Sequence, residues 1–93
     1  MTKRTVNYSR QFKKDAKRYR HKEDVLIELM IIVGKLEQDE AIPKEYSPHP
    51  LKGDCKGRME CHVKSNVLLI WRDERSGDIW VERLGTHHEL FGL

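Results

Sequence analysis

The chain has only two cysteines, Cys55 and Cys61, with three prolines and six glycines among its 93 residues. So few cysteines make no secreted-type disulfide framework, and reduced thiols in a cytoplasmic chain are the expectation. No stretch approaches the ~18 consecutive apolar residues of a membrane span. The start, where Lys3 and Arg4 lead into an alternating segment, lacks the apolar region of a secretory signal. Together these absences predict a cytoplasmic protein with no membrane partner. Cys-x-x-Cys and His-Glu-x-x-His spacings are missing, although His49, Cys55, Cys61, His62, His87 and His88 are metal-ligand types. No metal or cofactor is therefore expected. With no glycine-rich phosphate loop and no nucleophile elbow, nucleotide hydrolysis and acyl transfer have no support. Internal repeats and low-complexity segments are absent as well.

Hydrophobic residues make up 38% and charged residues 35% of the chain, too apolar a balance for wholesale disorder. Residues 1–93 are expected to form one small domain. A domain of that size buries roughly two-thirds of its unfolded surface, so a substrate site must be shallow or shared with a partner. The formal charge of +3 hides an asymmetry. Residues 1–22 carry Lys3, Arg4, Arg10, Lys13, Lys14, Lys17, Arg18, Arg20 and Lys22 against the single acid Asp15. Residues 23–40 reverse the sign, with Glu23, Asp24, Glu28, Glu37, Asp39 and Glu40 against Lys35. A concentrated basic face suits a polyanion or a strongly acidic protein partner; taken alone it also fits an ordinary solvated helix.

Arg4 to Tyr8 alternates around Val6 and reads as a short strand. Ser9 offers an N-cap, after which Phe12, Ala16 and Tyr19 place a thin apolar stripe on a basic helix. A second helix is predicted from Asp24 to Asp39, with Val25, Leu29, Ile32, Val33 and Leu36 on a broad apolar face that Leu26 and Met30 widen. The spacing makes the two helices an antiparallel pair, and Gly34 marks either their close approach or a tolerated glycine. Pro43, Pro48 and Pro50 make residues 42–53 a shaped loop, neither helix nor strand. His49, held extended between two prolines, is either a presented imidazole or a cap on loop carbonyls.

From Arg58 to Val63 the pattern has period two, so Met59, Cys61 and Val63 face a core while Arg58, Glu60 and His62 share a wetter face. Side chains two apart on such a face are roughly 6.6 Å apart, close enough to grip one phosphodiester together. Val67 to Trp71 is apolar on both faces, as a central strand with helices on one side and a smaller cluster on the other. Ile79 to Leu84 alternates, with Glu82 and Arg83 facing opposite ways and Arg83 just before Gly85. The polar, then apolar tail GTHHELFGL is expected to dock as a short turn or brief strand. His87, in the polar GTHH run, is not a core histidine; Phe91 is open between a stacking platform and core packing, and His88 is left as a spectator.

Polyanion binding with acid/base groups inside it fits these residues. Transphosphorylation through the 2′-hydroxyl of RNA needs a base for that hydroxyl, an acid for the departing 5′-oxygen and cations for the phosphorane charge, with no metal or cofactor. Histidine suits both proton transfers because its ordinary pKa of about 6.5 leaves both forms accessible near neutrality.

The basic YSRQFKKD helix entrance, the HPLKGDCKG loop, the ECHV strand start, the NVLLIW strand and the terminal ERLGTHHELFG occur in one order. In that combination the chain resembles the YafQ-type toxins of the RelE/ParE superfamily, ribosome-dependent mRNA interferases of bacterial type II toxin–antitoxin systems. The resemblance implies a RelE-like α/β (α+β) domain: two N-terminal helices on a twisted, mainly antiparallel sheet, in the order β-α-α-β-β-β with a short C-terminal element, the first strand added at an edge. It implies catalytic positions at His49, His62, His87 and Phe91. It also implies that Glu60 stands where the family usually has aspartate, and Asn66 at a second acidic position, where it orients groups and exchanges no proton. Arg83, with Lys56 or Arg58, would stabilise phosphate charge, and Lys13, Lys14, Lys17 and Arg18 would contact ribosomal RNA. His87 is then the preferred acid and His49 or His62 the base, with Glu60 orienting a histidine or sharing the base role. The implied partners are the bacterial 70S ribosome with an A-site mRNA codon, and a cognate antitoxin whose other end binds operator DNA. ParE-like relatives on the same scaffold poison DNA gyrase, and a catalytically silent RNA-binding or antitoxin-binding module is the third alternative.

Overall fold

A computed structural model describes residues 3–51, 57–74 and 77–92. Ser9 starts the first helix as its position predicts: its hydroxyl accepts from the Phe12 N–H at 2.9 Å and donates to the Glu82 carbonyl at 2.7 Å. One side chain thus caps the helix and fastens it to a strand far along the chain. The elements are β1 (Val6–Tyr8), α1 (Arg10–Lys17), α2 (Glu23–Glu37), β2 (His49–Pro50), β3 (Arg58–Lys64), β4 (Val67–Asp73), β5 (Ile79–Gly85) and α3 (His87–Phe91), with one 3-10 turn at Lys44–Tyr46. The sheet order is β1-β5-β4-β3-β2, with β1 parallel to β5 at one edge and every other pairing antiparallel. This is the expected α+β architecture in the expected element order, with the first strand at an edge.

The period-two reading of β3 puts Cys61 and Val63 in the core with Val67, Leu69, Trp71, Ile79, Val81 and Leu84 of β4 and β5. Onto that face pack Val25, Leu29, Ile32 and Leu36 of α2, four positions at helical spacing, and Phe12 with Tyr19 of the first helical segment. Ile32 is 0% exposed; burying such a side chain contributes about 1.5–3 kcal/mol. Cys61, buried here, is a free thiol; Cys55 lies outside the described residues. The opposite face of β4 buries Leu68 and Ile70, the smaller second cluster expected for a strand apolar on both sides.

Four expectations are corrected. Residues 42–53 do not form a loop throughout: the extended backbone imposed before and by proline lets His49–Pro50 pair with β3 as an edge strand. The tail forms a helix, because Thr86 and Glu89 make a reciprocal capping box, Thr86 Oγ1 accepting from Glu89 N–H at 3.1 Å and Glu89 Oε1 from Thr86 N–H at 2.9 Å. Gly34 does not mark close helix approach, since a Cβ placed there meets nothing within 4 Å. Met30 does not widen the core face; it is 73% exposed because four helical turns of α2 cannot bury a stripe that broad.

Gly85 is where a side chain is excluded. A Cβ there would stand 2.9 Å from Glu89 Oε1 and 3.3 Å from Leu90 Cδ2, so the glycine lets α3 lie directly on the end of β5. Gly85→Ala is expected to destabilise the fold by about 1–3 kcal/mol through overpacking, read by thermal melting. It should also break the Tyr19 hydroxyl donation to Glu89, 2.9 Å in the intact protein, visible as a change in the tyrosine spectrum.

Candidate active site

Sheet register brings the sequence candidates into rows. His49 of β2 pairs with Glu60 of β3, Glu60 with Ile70 of β4, and Ile70 with Arg83 of β5, so one line across four strands reads His49, Glu60, Ile70, Arg83. The next line reads His62, Leu68, Gly85, two residues before His87. The imidazoles form a chain above the Leu68–Ile70 floor. Ring centroids are 6.3 Å apart from His49 to His62, 6.4 Å from His62 to His87 and 6.0 Å from His87 to Phe91. His87 is exposed and Phe91 is 37% exposed, so neither serves the core.

Glu60 departs from the wet face expected of it. It is 4% exposed, covered because β2 extends the sheet past it and Ile70 flanks it. His49 Nε2 stands 3.0 Å from its Oε1, while Oε2 is buried with no hydrogen-bond partner among the described residues. The other ring nitrogen, Nδ1, is 2.8 Å from the carbonyl oxygen of Ser47, a residue in the left-handed region at φ 49°. A carbonyl only accepts, so Nδ1 carries a hydrogen; the Nε2 contact with a carboxylate oxygen is then attractive only with a second proton between them. The loop is anchored one residue earlier by Tyr46, buried and hydrogen-bonded through its hydroxyl to Glu28 of α2. That bond, with burial and the Glu28 charge adding to it, pushes the Tyr46 phenol up to about 12.

A bulge in β5 moves Glu82 from its expected place. Ile70 pairs with Arg83 and Trp71 with Val81, leaving Glu82 as the extra residue. Glu82 and Arg83 therefore do not face opposite ways; both line one groove of about 410 Å³ with Ser9, Gln11, Arg58, Ile70, Leu90 and Phe91. Glu82 binds Arg58 and approaches Arg72 at 3.9 Å. Arg83 is held by Asp15, Nε to Oδ2 at 2.8 Å.

Asp15 is the residue the sequence reading passed over. It is 1% exposed on α1 and accepts from Arg83, from the Leu84 N–H at 3.0 Å and from the Gln11 amide at 3.2 Å. Burial pushes its carboxyl up, but the Arg83, Leu84 and Gln11 hydrogen bonds outweigh it and hold the group below the ordinary carboxylate range. Because the folded protein holds that proton off more strongly than the unfolded chain, the stabilisation is complete above the ordinary carboxyl pKa. It is lost as pH falls through the lower folded value. Acid titration of melting temperature should show this loss, and Asp15→Asn should flatten that part of the curve.

Other candidates line a second groove or stand on α1. Asn66 sits in the exposed β3–β4 turn, in a separate groove with Arg18, Lys22 and Glu89. Arg18 pairs with Glu89 at 3.3 Å, and Lys13, Lys14 and Lys17 are exposed on α1. Lys56 lies outside the described residues. Among the described residues no three His, Cys, Asp or Glu side chains are grouped to hold a metal ion, and no helix is long and apolar enough to cross a membrane.

A mainly antiparallel sheet carrying two N-terminal helices, with imidazoles, a buried carboxylate and guanidiniums on its open face, defines a bacterial toxin of the type II toxin–antitoxin class. The profile of the YafQ toxins matches residues 4–92, and the chain belongs to that family. It is 36% identical over 97 residues to the mRNA interferase toxin YafQ of Escherichia coli K12, covering 99% of this chain and 100% of the relative. Its structure matches YafQ from the E. coli DinJ–YafQ toxin–antitoxin complex with a TM-score of 0.85 at 32% identity, covering 98% and 100% of the two chains. A metal-bound toxin from Helicobacter pylori matches with a TM-score of 0.85 at 35% identity, covering 95% and 99%.

Proposed function

We propose that this chain is a ribosome-dependent endoribonuclease that cleaves mRNA codons in the ribosomal A site by metal-independent acid/base transphosphorylation. The observation that carries the reading is the chain of three imidazoles at 6.3 and 6.4 Å beside a buried carboxylate and two guanidiniums. The E. coli relative named an mRNA interferase supports the same reaction class.

His62 has no hydrogen-bond partner among the described residues and stands between the other two rings, so it takes the proton of the 2′-hydroxyl. The 2′-oxygen then bonds to phosphorus, the bond from phosphorus to the 5′-oxygen breaks, and His87 gives that oxygen its proton. The products are a 2′,3′-cyclic phosphate, open to later hydrolysis, and a 5′-hydroxyl. His49, held between the Ser47 carbonyl and Glu60, presents a fixed imidazole beside the reacting groups; Glu60 orients it. Arg83 and Arg58 offset the charge on phosphorus, and Phe91 stacks on a base. The exposed lysines of α1 dock on ribosomal RNA through a salt-sensitive contribution. An acidic antitoxin segment is attracted to the same basic face, in keeping with the E. coli relative's solved toxin–antitoxin complex, and operator DNA is read by the antitoxin.

The test is to map cleavage of a defined mRNA on purified translating ribosomes and to analyse both new ends. Codon-phased cuts with cyclic phosphate and 5′-hydroxyl ends support the reading. Intact mRNA with folded, ribosome-bound protein refutes it and turns attention to gyrase inhibition, measured by supercoiling, or to silent binding.

A further inference from the structure

Resting on that reading, we propose that Asp15 is the positioning residue for Arg83. The carboxylate is 1% exposed, yet it lies on the helix whose outer faces are basic and exposed. It grips the guanidinium along one edge, Nε to Oδ2 at 2.8 Å and Nη2 to Oδ1 at 3.4 Å. The remaining edge, Nη1 with the second Nη2 hydrogen, takes no hydrogen bond among the described residues, and Arg83 lines the groove that Phe91 and Arg58 also line. A guanidinium gripped side-on has only its end-on edge to offer, and that edge matches two phosphate oxygens.

Two further contacts fix the carboxylate itself. The Leu84 N–H donates to Oδ2 at 3.0 Å from the strand that carries Arg83, and the Gln11 amide donates to Oδ1 at 3.2 Å from one turn earlier on the helix. Through Ser9, which caps α1 and donates to the Glu82 carbonyl, the helix start is locked to the β5 bulge that turns Arg83 into the groove. Helix, bulge and guanidinium therefore move as one unit. The arrangement places a fixed, phosphate-matching donor pair at the site, with its counter-charge on the protected side.

Asp15→Asn keeps an acceptor for the Leu84 N–H and removes the charge. It should slow single-turnover mRNA cleavage about 10–100-fold, the loss typical of a reacting geometry misplaced by about 1 Å, with ribosome affinity unchanged. Arg83→Ala, which leaves the Asp15 carboxylate buried without its counter-charge and is therefore compared at a temperature where melting shows it folded, sets the reference. The double variant should be no slower than Arg83→Ala alone. A carboxylate that only fastens α1 to β5 predicts multiplying effects and a rate loss that follows melting temperature; that result overturns the proposal. A second readout is independent of cleavage: an uncleavable 2′-deoxy oligoribonucleotide titrated into labelled protein. It should perturb the Arg83 guanidinium resonances in the parent protein and not in folded Asp15→Asn; equal perturbation in both overturns the proposal. If the parent protein cuts no mRNA, the ribonuclease reading fails while this binding comparison still decides the role of Asp15.

Discussion

On the proposed mechanism, His62→Ala should lower the single-turnover rate of codon cleavage by about 10²–10⁴-fold, the usual worth of one positioned acid or base, and His87→Ala should do the same. The two losses differ in kind. With a substrate whose 5′-oxygen is replaced by sulfur, the leaving group no longer needs a proton, so His87→Ala regains most of its rate while His62→Ala stays slow. His87 is exposed and His62 half-buried, and neither belongs to the core, so alanine at either place should leave the fold intact, which melting checks. His49→Ala removes the one polar contact of the buried Glu60 carboxyl among the described residues, combining a rate loss with a stability loss. Rescue of His62→Ala by the sulfur substrate, with none for His87→Ala, would reverse the two assignments.

Much of this site is legible in the sequence because it depends on local periodicity. Arg58, Glu60 and His62 share a strand face by alternation alone, and Pro48 and Pro50 hold His49 extended where β2 forms. The Ser9 cap and the α2 stripe at Val25, Leu29, Ile32 and Leu36 follow from spacing in the same way. What alternation cannot reveal is an added residue: the bulge at Glu82 exists only in the pairing with β4, and it brings Glu82 and Arg83 into one groove instead of onto opposite faces. Asp15 left a faint signal, the only acid in a basic stretch and adjacent to the Phe12–Ala16 stripe. Its meaning lies in a partner far away in sequence, Arg83, which no local pattern reports. The α3 capping box is written in Thr86 and Glu89, three apart, but so short a helix leaves no apolar periodicity to read, so the tail is expected only as a short turn or brief strand. Glu60 reads as wet because its burial comes from a two-residue edge strand and from Ile70, both set by tertiary register.

Ile70→Ala tests whether that register builds chemistry as well as stability. Ile70 is 5% exposed, lies between Glu60 and Arg83 across the sheet, and lines the groove that Arg83 also lines. Truncation should cost about 2–5 kcal/mol, against about 0.5–1.5 kcal/mol for Ile70→Val, a large share of the roughly 5–15 kcal/mol that holds a domain folded. Leu69 is the control: it is 0% exposed on the same strand but faces the α2 core. Leu69→Ala should cost a similar stability and, at a temperature where it stays folded, cut mRNA at the parental rate per folded molecule. Ile70→Ala should remain slow when folded, because a cavity under Glu60 admits water, raises the local dielectric and weakens the His49–Glu60 pairing. Chemical denaturation fixes the folded fraction and single-turnover cleavage the rate. If both variants lose activity only in proportion to unfolding, the floor contributes packing alone and the electrostatics of the site are set entirely by its polar groups.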